Sequence, residues 1–370
     1  MSNPKRNTSS DEQVLNSISV SKIILPVVLG LAVVLYLLWR SFDQEEFAKV
    51  SWDGHMLFWI FMAMFCYLMR HLFYAYRLRV LADEDFSWSK SIELIFIWEF
   101  ASAVSPTSIG GSAVALFLLA QEKISTARTV AIVLYSVIID TLFFVISMLV
   151  LYFIMGPIII RPGMTSMNMI DGFGLVFLLV VLAMLAYSFI FFYGLFINPT
   201  QIKRLLLWIS KWKILGRFKD SIRETAIDVV LSAKEMSSKS WTFHLKSNLA
   251  TAGAWIFRFL AINCIIISLV KATSLDFWTQ VLMYARGEVM YAVTAFSPTP
   301  GGAGIAEIVF GGYYSDFISK SLSFIAALLW RLITYYPYLI AGAIIIPNWI
   351  RKIANRRKTV KTDLQTQKTV

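Results

Sequence analysis

Charged residues are scarce in this chain. Only 15% of its 370 residues are Asp, Glu, Lys or Arg, whereas 58% are hydrophobic and the mean hydropathy is +0.66. These values lie far from the averages of water-soluble domains. The composition therefore excludes an ordinary soluble protein and predicts that most of the chain lies within a lipid bilayer.

Cysteine and histidine are rarer still, with two and three residues respectively. Cys66 and Cys264 each lie inside an apolar run, so we expect them to pack rather than to form a disulfide or bind a metal. The histidines, His55, His71 and His244, are scattered and none has metal-ligand spacing. We therefore expect no metal site, no cofactor and no catalytic redox residue.

Six apolar runs approach or exceed the roughly 20 residues that a helix needs to cross the hydrocarbon core. They cover residues 23–39, 56–76, 126–155, 173–196, 247–270 and 322–346. The first run meets acidic residues with no small-residue cleavage pattern, so we expect an anchor rather than a removable signal. The predicted fold class is an all-α polytopic membrane protein.

The formal net charge of +11 is concentrated in three regions between or after the apolar runs. One includes Arg77, Arg79 and Lys90, the second follows residue 196, and the third begins at residue 351. Because Lys and Arg in short loops mark the cytoplasmic side, all three regions are predicted to be cytoplasmic.

Two further apolar segments do not fit this orientation as full spans. Residues 91–120 would begin and end on the cytoplasmic side, and residues 277–318 would begin and end outside. Each is therefore predicted to return to its own side as a re-entrant helical hairpin. The predicted architecture is six full spans plus two oppositely oriented hairpins, an inverted repeat with both termini cytoplasmic in a bacterial inner membrane.

Each hairpin contains a similar break, in which Ser-Pro-Thr is shortly followed by Gly-Gly. Proline removes a backbone donor and glycine allows conformations that other residues resist, so a helix should end and another begin there. Non-helical backbone at membrane depth survives only when buried in protein or facing a wet cavity. We therefore expect both breaks at one internal site, with the helices that restart at the Gly-Gly pairs offering N–H groups to a phosphate.

The residues assigned to this site are Ser105, Pro106, Thr107, Gly110, Gly111, Pro298, Pro300, Gly301 and Gly302. The alternative is that each proline only kinks a packed helix.

Charged residues within the apolar segments are costly, at roughly 2.5–3.5 kcal/mol each at the bilayer centre. They must therefore face inward and find partners. The functional interpretation is that the arginines bind a phosphate headgroup while the carboxylates neutralise them or carry protons. Structural ion pairs are the alternative. The residues concerned are Glu99, Asp140, Arg258, Arg286, Glu288, Glu307 and Arg331.

The last span places polar residues on one helical face, because their spacing follows the helical period. They are Arg331, Thr334, Tyr335, Tyr338 and Gly342. Arg331 and Tyr335 are accordingly predicted to face the site.

The string Pro-Thr-Pro-Gly-Gly-Ala-Gly at residues 298–304, with Glu307 after it and Trp330-Arg331 and Tyr336-Pro337 further on, carries a family resemblance. Over about residues 20–350 the chain resembles the lysylphosphatidylglycerol synthase transmembrane-region family, also called UPF0104 or flippase-like proteins. The resemblance implies that Arg331 lies in the wall of the site. It also implies a second hairpin containing Pro298, Pro300, Gly301, Gly302, Gly304 and Glu307.

In the multiple peptide resistance factors of that family, this region is held to translocate aminoacylated phosphatidylglycerol, which a separate cytoplasmic domain synthesises. Here the chain ends soon after the last span, so we expect no synthase domain and no enzymatic activity. Many members have an acidic residue after the glycines of the first break, where this chain has Ser112. That difference leaves the headgroup open.

The expected domain organisation has three parts. Residues 1–21 are a disordered cytoplasmic tail, residues 22–350 a single flippase-like transmembrane domain, and residues 351–370 a basic cytoplasmic tail, disordered from residue 359. Within the domain, residues 197–246 form a basic amphipathic segment predicted to lie on the inner leaflet.

The leading hypothesis is a transporter that moves a phospholipid or lipid-linked anionic substrate across the membrane, which predicts an internal cavity at both breaks. A membrane-embedded transferase is a second hypothesis, with Glu307 or Asp140 as the general base. A scaffold or accessory subunit with a closed interior is the third. The expected partners are lipid and membrane rather than nucleic acid, and a homo-oligomer stays open.

Overall fold

A computed structural model describes residues 48, 50–105, 108–122, 124–169, 172–211, 219–294, 299, 302 and 304–368. Within these ranges the chain is helical, with no strand, as the predicted fold class requires. The predicted first span, residues 23–39, lies outside them, as do Pro106, Thr107, Pro298, Pro300 and Gly301.

The described residues form twelve α-helices. The first six are α1 Gly54–Leu81, α2 Trp88–Val104, α3 Ser108–Ala120, α4 Thr126–Met155, α5 Gly172–Phe192 and α6 Pro199–Ile209. The others are α7 Lys219–Ser237, α8 Trp241–Leu269, α9 Phe277–Thr294, α10 Ile305–Tyr313, α11 Lys320–Thr334 and α12 Tyr336–Lys368. A π-helical turn, Tyr193–Ile197, extends α5, and a 3₁₀ turn, Gly156–Ile159, follows α4.

Four helical stretches in the described part of the chain are long and apolar enough to cross a membrane. They coincide with predicted spans 56–76, 126–155, 247–270 and 322–346, and the shorter apolar α5 coincides with 173–196. The polytopic membrane class is thereby confirmed. The four stretches are Gly54–Leu81, Arg128–Ile159, Trp241–Leu269 and Lys320–Ile353, the last formed by α11 and α12 with an interruption at Tyr335.

Short polar side chains fix where the long helices begin. In five of them the N-cap side chain accepts a hydrogen bond from a backbone N–H of the first turn, which would otherwise lack a partner. These N-caps are Asp53 of α1, Ser87 of α2, Ser125 of α4, Ser240 of α8 and Ser319 of α11.

The helices end and restart at both breaks, as predicted. The first break separates α2 from α3, and the second separates α9 from α10. However, α3 begins at Ser108, so Gly110 and Gly111 lie in its first turn and do not start it. A Cβ atom at Gly111 would lie 1.9 Å from the Ser102 Oγ atom of α2. Gly111 thus serves close packing, and the chain folds back on itself as a helical hairpin.

Two other helices pack against this hairpin. Both α1 and α12 contact α2, and a Cβ at Gly342 of α12 would overlap the Phe100 ring. The most extensive helix pair is α1 with α8, which approach closely where Gly253 meets the Phe73 ring. The α2–α3 hairpin is therefore held inside the bundle.

Two expectations were wrong. Arg77, predicted in a cytoplasmic loop, is buried within α1, because that helix continues to Leu81. Helix α12 continues to Lys368, where disorder was expected from residue 359. The segment after Pro347 contains neither glycine nor proline and is rich in Lys, Arg and Gln, which favour helix.

Substituting Gly111→Ala should destabilise the protein by about 1–3 kcal/mol, the usual cost of overpacking, because the new methyl group overlaps Ser102. The measurement is the thermal denaturation midpoint in detergent. Gly312→Ala is the matched control, since a Cβ at Gly312 of α10 meets no atom within 4 Å. The double variant Ser102→Gly/Gly111→Ala should recover part of the loss, and equal midpoints for the two single variants would contradict close packing at Gly111.

Candidate functional site

A cavity of about 520 Å³ lies inside the bundle. Its lining includes Ser105 from the first break and Thr299 and Gly302 from the second. The two breaks therefore meet at one internal space, as the sequence predicted. Of the other predicted site residues, the cavity brings together Asp140, Arg258, Arg331 and Tyr335.

Arg70 of α1 joins three helices at one end of this lining. Its side chain is 1% exposed, and its Nη2 atom donates to the Glu99 Oε2 atom of α2 at 2.7 Å. Its Nη1 atom donates to the Tyr338 hydroxyl of α12 at 2.8 Å and to the Tyr67 hydroxyl at 3.1 Å. Tyr67 in turn donates to the carbonyl of Thr334 at the end of α11. The ion pair is thus part of a network that ties α1 to the first hairpin and the last span.

Arg77 makes the second ion pair, two turns further along α1. Its Nη1 atom donates to the Asp140 Oδ1 atom of α4 at 2.5 Å and to the Thr251 hydroxyl of α8 at 3.2 Å. The indole N–H of Trp255 donates to the same Asp140 oxygen at 2.8 Å. Asp140 therefore joins α1, α4 and α8, and its charge is balanced where it lies.

The third pair is formed by Arg331 and Glu307, with 2.8 Å between Nε and Oε1. The other oxygen of Glu307 accepts from the backbone N–H of Gly304 at 2.7 Å, which caps α10. Gly304 has φ +84°, a conformation that favours glycine. The restarting α10 therefore has its Gly304 N–H occupied by its own carboxylate, whereas the sequence predicted N–H groups free for a phosphate.

Arg258 of α8 differs from these three arginines. Its guanidinium lies 4.4 Å from the centroid of the Tyr291 ring and 5.1 Å from that of Trp255. It is close enough to Glu99 for their charges to interact, but among the described residues no carboxylate forms an ion pair with it. It is therefore a cation held by aromatic faces, with its hydrogen-bond donors available to the cavity.

The charges at the site do not cancel. Four arginines line the cavity, and the carboxylates that balance them are Glu99, Asp140 and, behind Arg331, Glu307. Among the residues that the structure describes, one positive charge remains. Much of the remaining wall is aromatic, so this charge lies in a setting that screens it poorly. The aromatic lining residues are Tyr67, Tyr74, Trp98, Phe144, Tyr187, Trp255, Tyr291, Trp330, Tyr335 and Tyr338.

Several predicted site residues lie outside the cavity lining. Gly110 lies in the first turn of α3, Gly111 serves close packing against Ser102, and the N–H of Gly304 is part of the cap of α10. Arg286 is 0% exposed and pairs with Asp316 at 2.7 Å. It also donates to the carbonyls of Tyr313 and Ile158. Because Arg286 is five residues from Tyr291, it points to the other side of α9 and fastens that helix to the loops around it.

The sequence reasoning missed Arg70 and Arg77 as site residues. Together with Tyr67 and Tyr74 they recur at intervals of three or four residues, so they form one polar stripe on α1. The predicted span ended at residue 76, before the second arginine. A test for the helical period that extended past this boundary would have found the stripe.

The fold and the cavity define a polytopic helical membrane protein with a charge-lined interior. Residues 23–342 match the family described as Lysylphosphatidylglycerol synthase TM region. The chain belongs to this family, and the resemblance noted in the sequence is confirmed. The chain is also similar to a UPF0104 membrane protein of Archaeoglobus fulgidus, with 23% identity over 283 residues that cover 74% of this chain and 81% of the relative.

Arg77→Met should destabilise the protein by up to about 3 kcal/mol, because it leaves Asp140 in a poorly solvated setting without its cation. Arg128→Met removes pairs with the more exposed Asp83 and Asp85 and should cost about 1 kcal/mol or less. The double variant Arg77→Met/Asp140→Leu should regain most of the loss. Thermal denaturation in detergent measures all three, and an additive double variant would show that the two side chains do not interact.

Proposed function

We propose that this protein translocates a phospholipid or lipid-linked anionic substrate across the membrane, with the headgroup passing through the cavity between the two breaks. The observation that carries this proposal is the setting of Arg258. This arginine lies inside the bundle, makes cation–π contacts with aromatic rings, and forms no ion pair among the described residues. A cation held in this way needs an anionic partner, and a headgroup phosphate supplies one.

Arginine suits this role because its planar guanidinium donates two parallel hydrogen bonds to a phosphate. The rings of Tyr291 and Trp255 hold the guanidinium without consuming its N–H donors. The neighbouring Arg331 and Arg70 are paired with Glu307 and Glu99, so their charges are already balanced. A phosphate entering the cavity would therefore meet Arg258 as its first direct ligand.

The cavity has the size expected for a headgroup. Ligand sites in proteins commonly measure 300–1,000 Å³, and about 520 Å³ accommodates a polar headgroup but not two acyl chains as well. The acyl chains would remain in the surrounding lipid while the headgroup moves. This division between a polar interior and a lipid exterior is what a translocation pathway requires.

The topology proposed with this function is the predicted one. The α2–α3 and α9–α10 pairs are the two re-entrant hairpins, entering from opposite faces of the bacterial inner membrane, and both termini are cytoplasmic. Arg79 in the last turn of α1 and Lys90 in the first turn of α2 support this orientation, as does the concentration of Lys and Arg after α5 and at the end of α12. Hairpins that approach one site from opposite faces can open it to either side in turn.

We also propose that the protein is not an enzyme and does not bind nucleic acid. The two carboxylates that a transferase would need as a base are occupied: Asp140 pairs with Arg77 and Trp255, and Glu307 pairs with Arg331 and caps α10. A scaffold without transport would need no charged cavity, so the cavity favours the transport proposal over that alternative.

Reconstituted liposomes test the proposal. Protein is incorporated with fluorescent phospholipids of several headgroups, and dithionite bleaches the label that reaches the outer leaflet. Wild-type protein should expose inner-leaflet label. Arg258→Ala should slow this exposure roughly 10- to 100-fold, because a charge-assisted hydrogen bond contributes about 1.5–3 kcal/mol and each 1.4 kcal/mol is a factor of ten.

Two controls accompany this measurement. Arg351→Ala removes an exposed arginine of α12 outside the cavity and should leave the rate unchanged. Arg258→Lys keeps the charge but loses the planar fork, so an intermediate rate is expected. If no lipid of any headgroup reaches the outer leaflet with wild-type protein, or if Arg258→Ala matches Arg351→Ala, the headgroup pathway is wrong.

A further inference from the structure

Glu288 is a buried carboxyl group that the cavity does not use. It lies on α9, three residues before the cavity residue Tyr291, and it is 0% exposed. Its Oε2 atom accepts a hydrogen bond from the Ser147 hydroxyl of α4 at 2.8 Å, and its Oε1 atom has no hydrogen-bond partner among the residues that the structure describes. This setting differs from that of every other carboxylate described above.

No cation in the described part of the chain pairs with Glu288. On its own helix, Arg286 forms an ion pair with Asp316. On α8, the guanidinium of Arg258 lies over the Tyr291 ring. On α10, the charged residue Glu307 forms an ion pair with Arg331. Helix α5 and the turn Gly156–Ile159, which also pack against α9, carry no charged side chain. On α4, Asp140 pairs with Arg77, and Arg128 pairs with Asp83 and Asp85. The hydroxyl of Tyr284 is a titratable group close enough to Glu288 to interact with its charge.

We propose that Glu288 is a proton-binding site, occupied by a proton in the arrangement that the structure describes. A carboxylate without a cation is strongly disfavoured in an apolar interior, and binding a proton removes the charge. The proton comes from a hydronium ion of the surrounding water: one O–H bond of that ion breaks, an O–H bond forms at Oε1, and a water molecule is left behind. Oε2 keeps the hydrogen bond from Ser147.

The Ser147 hydroxyl gives the proton a route. Ser147 is partly exposed and touches Glu288 directly. A hydroxyl group both donates and accepts hydrogen bonds, so Ser147 can relay a proton to and from the buried carboxyl group.

This proton site has a consequence for transport, which rests on the proposed function. When Glu288 loses its proton, the present arrangement leaves a bare carboxylate, so α9 must move until the charge meets water or a cation. Helix α9 ends at Thr294, which lines the cavity beside the second break. Proton release is thereby coupled to a rearrangement of the cavity wall, and the energy source is a proton gradient.

Infrared difference spectroscopy on the purified protein in lipid nanodiscs tests the proton site without any transport. Wild-type protein should show a protonated-carboxyl stretching band that disappears as the pH is raised. Glu288→Gln should lack this band. Glu93→Gln, which removes a carboxylate already paired with Lys90 at 3.0 Å, should keep it. A band that persists in Glu288→Gln, or is absent from the wild type at low pH, would overturn the proposal.

A second variant keeps the test decisive if Glu288→Gln does not fold. Ser147→Ala retains Glu288 but removes its hydrogen bond, so the carboxyl band should shift to higher frequency. An unshifted band would show that it arises from another residue and would equally reject the assignment.

The coupling is tested in the liposome assay with a pH gradient. Wild-type translocation should change several-fold when the gradient is imposed, and Glu288→Gln should respond little, while Glu93→Gln behaves as the wild type. An equal response in wild type and Glu288→Gln would reject the coupling. Absence of translocation under all conditions would reject the transport proposal and the coupling together, and the infrared band would still decide the proton site.

Discussion

The interior of this protein depends on one constraint: a charge in a low-dielectric bundle must have a partner. Each ion pair at the cavity satisfies that constraint by joining different helices. Arg70–Glu99 joins α1 to α2, Arg77–Asp140 joins α1 to α4, and Arg331–Glu307 joins α11 to α10. The pairs therefore position both helix breaks around the same space. Breaking one of them would cost more than its hydrogen bonds, since a buried charge would be left behind.

The sequence was sufficient for the features that depend on local composition. Apolar length predicted the described spans, because the thickness of the bilayer sets how many residues a crossing helix needs. Proline and paired glycines predicted where α2 and α9 end, because both residues act on the backbone of their own segment. The meeting of the breaks at one cavity also followed from local chemistry, since non-helical backbone cannot face lipid.

Pairing between distant residues could not be predicted in the same way. Arg286 and Arg258 are both single arginines in apolar segments. The residues around Arg286 do not indicate that it pairs with Asp316, and those around Arg258 do not indicate that it forms no ion pair with the other described residues. Gly111 was interpreted as a helix start, yet its lack of a side chain serves contact with Ser102. These outcomes depend on which helix faces become neighbours, and such contacts arise only after the bundle has formed.

Within the described part of the chain, an arginine without a paired carboxylate and a carboxyl group without a cation coexist, although pairing them would satisfy both. Tyr291 explains how they stay apart. The guanidinium of Arg258 lies over the Tyr291 ring. Glu288 lies one helical turn earlier on the same helix and accepts a hydrogen bond from Ser147 of α4. Under the proposed function, Arg258 binds an anionic headgroup and Glu288 binds a proton. Because both would act on α9, through Tyr291 and Glu288, binding of one would alter the cost of releasing the other, which is the physical requirement for coupled transport.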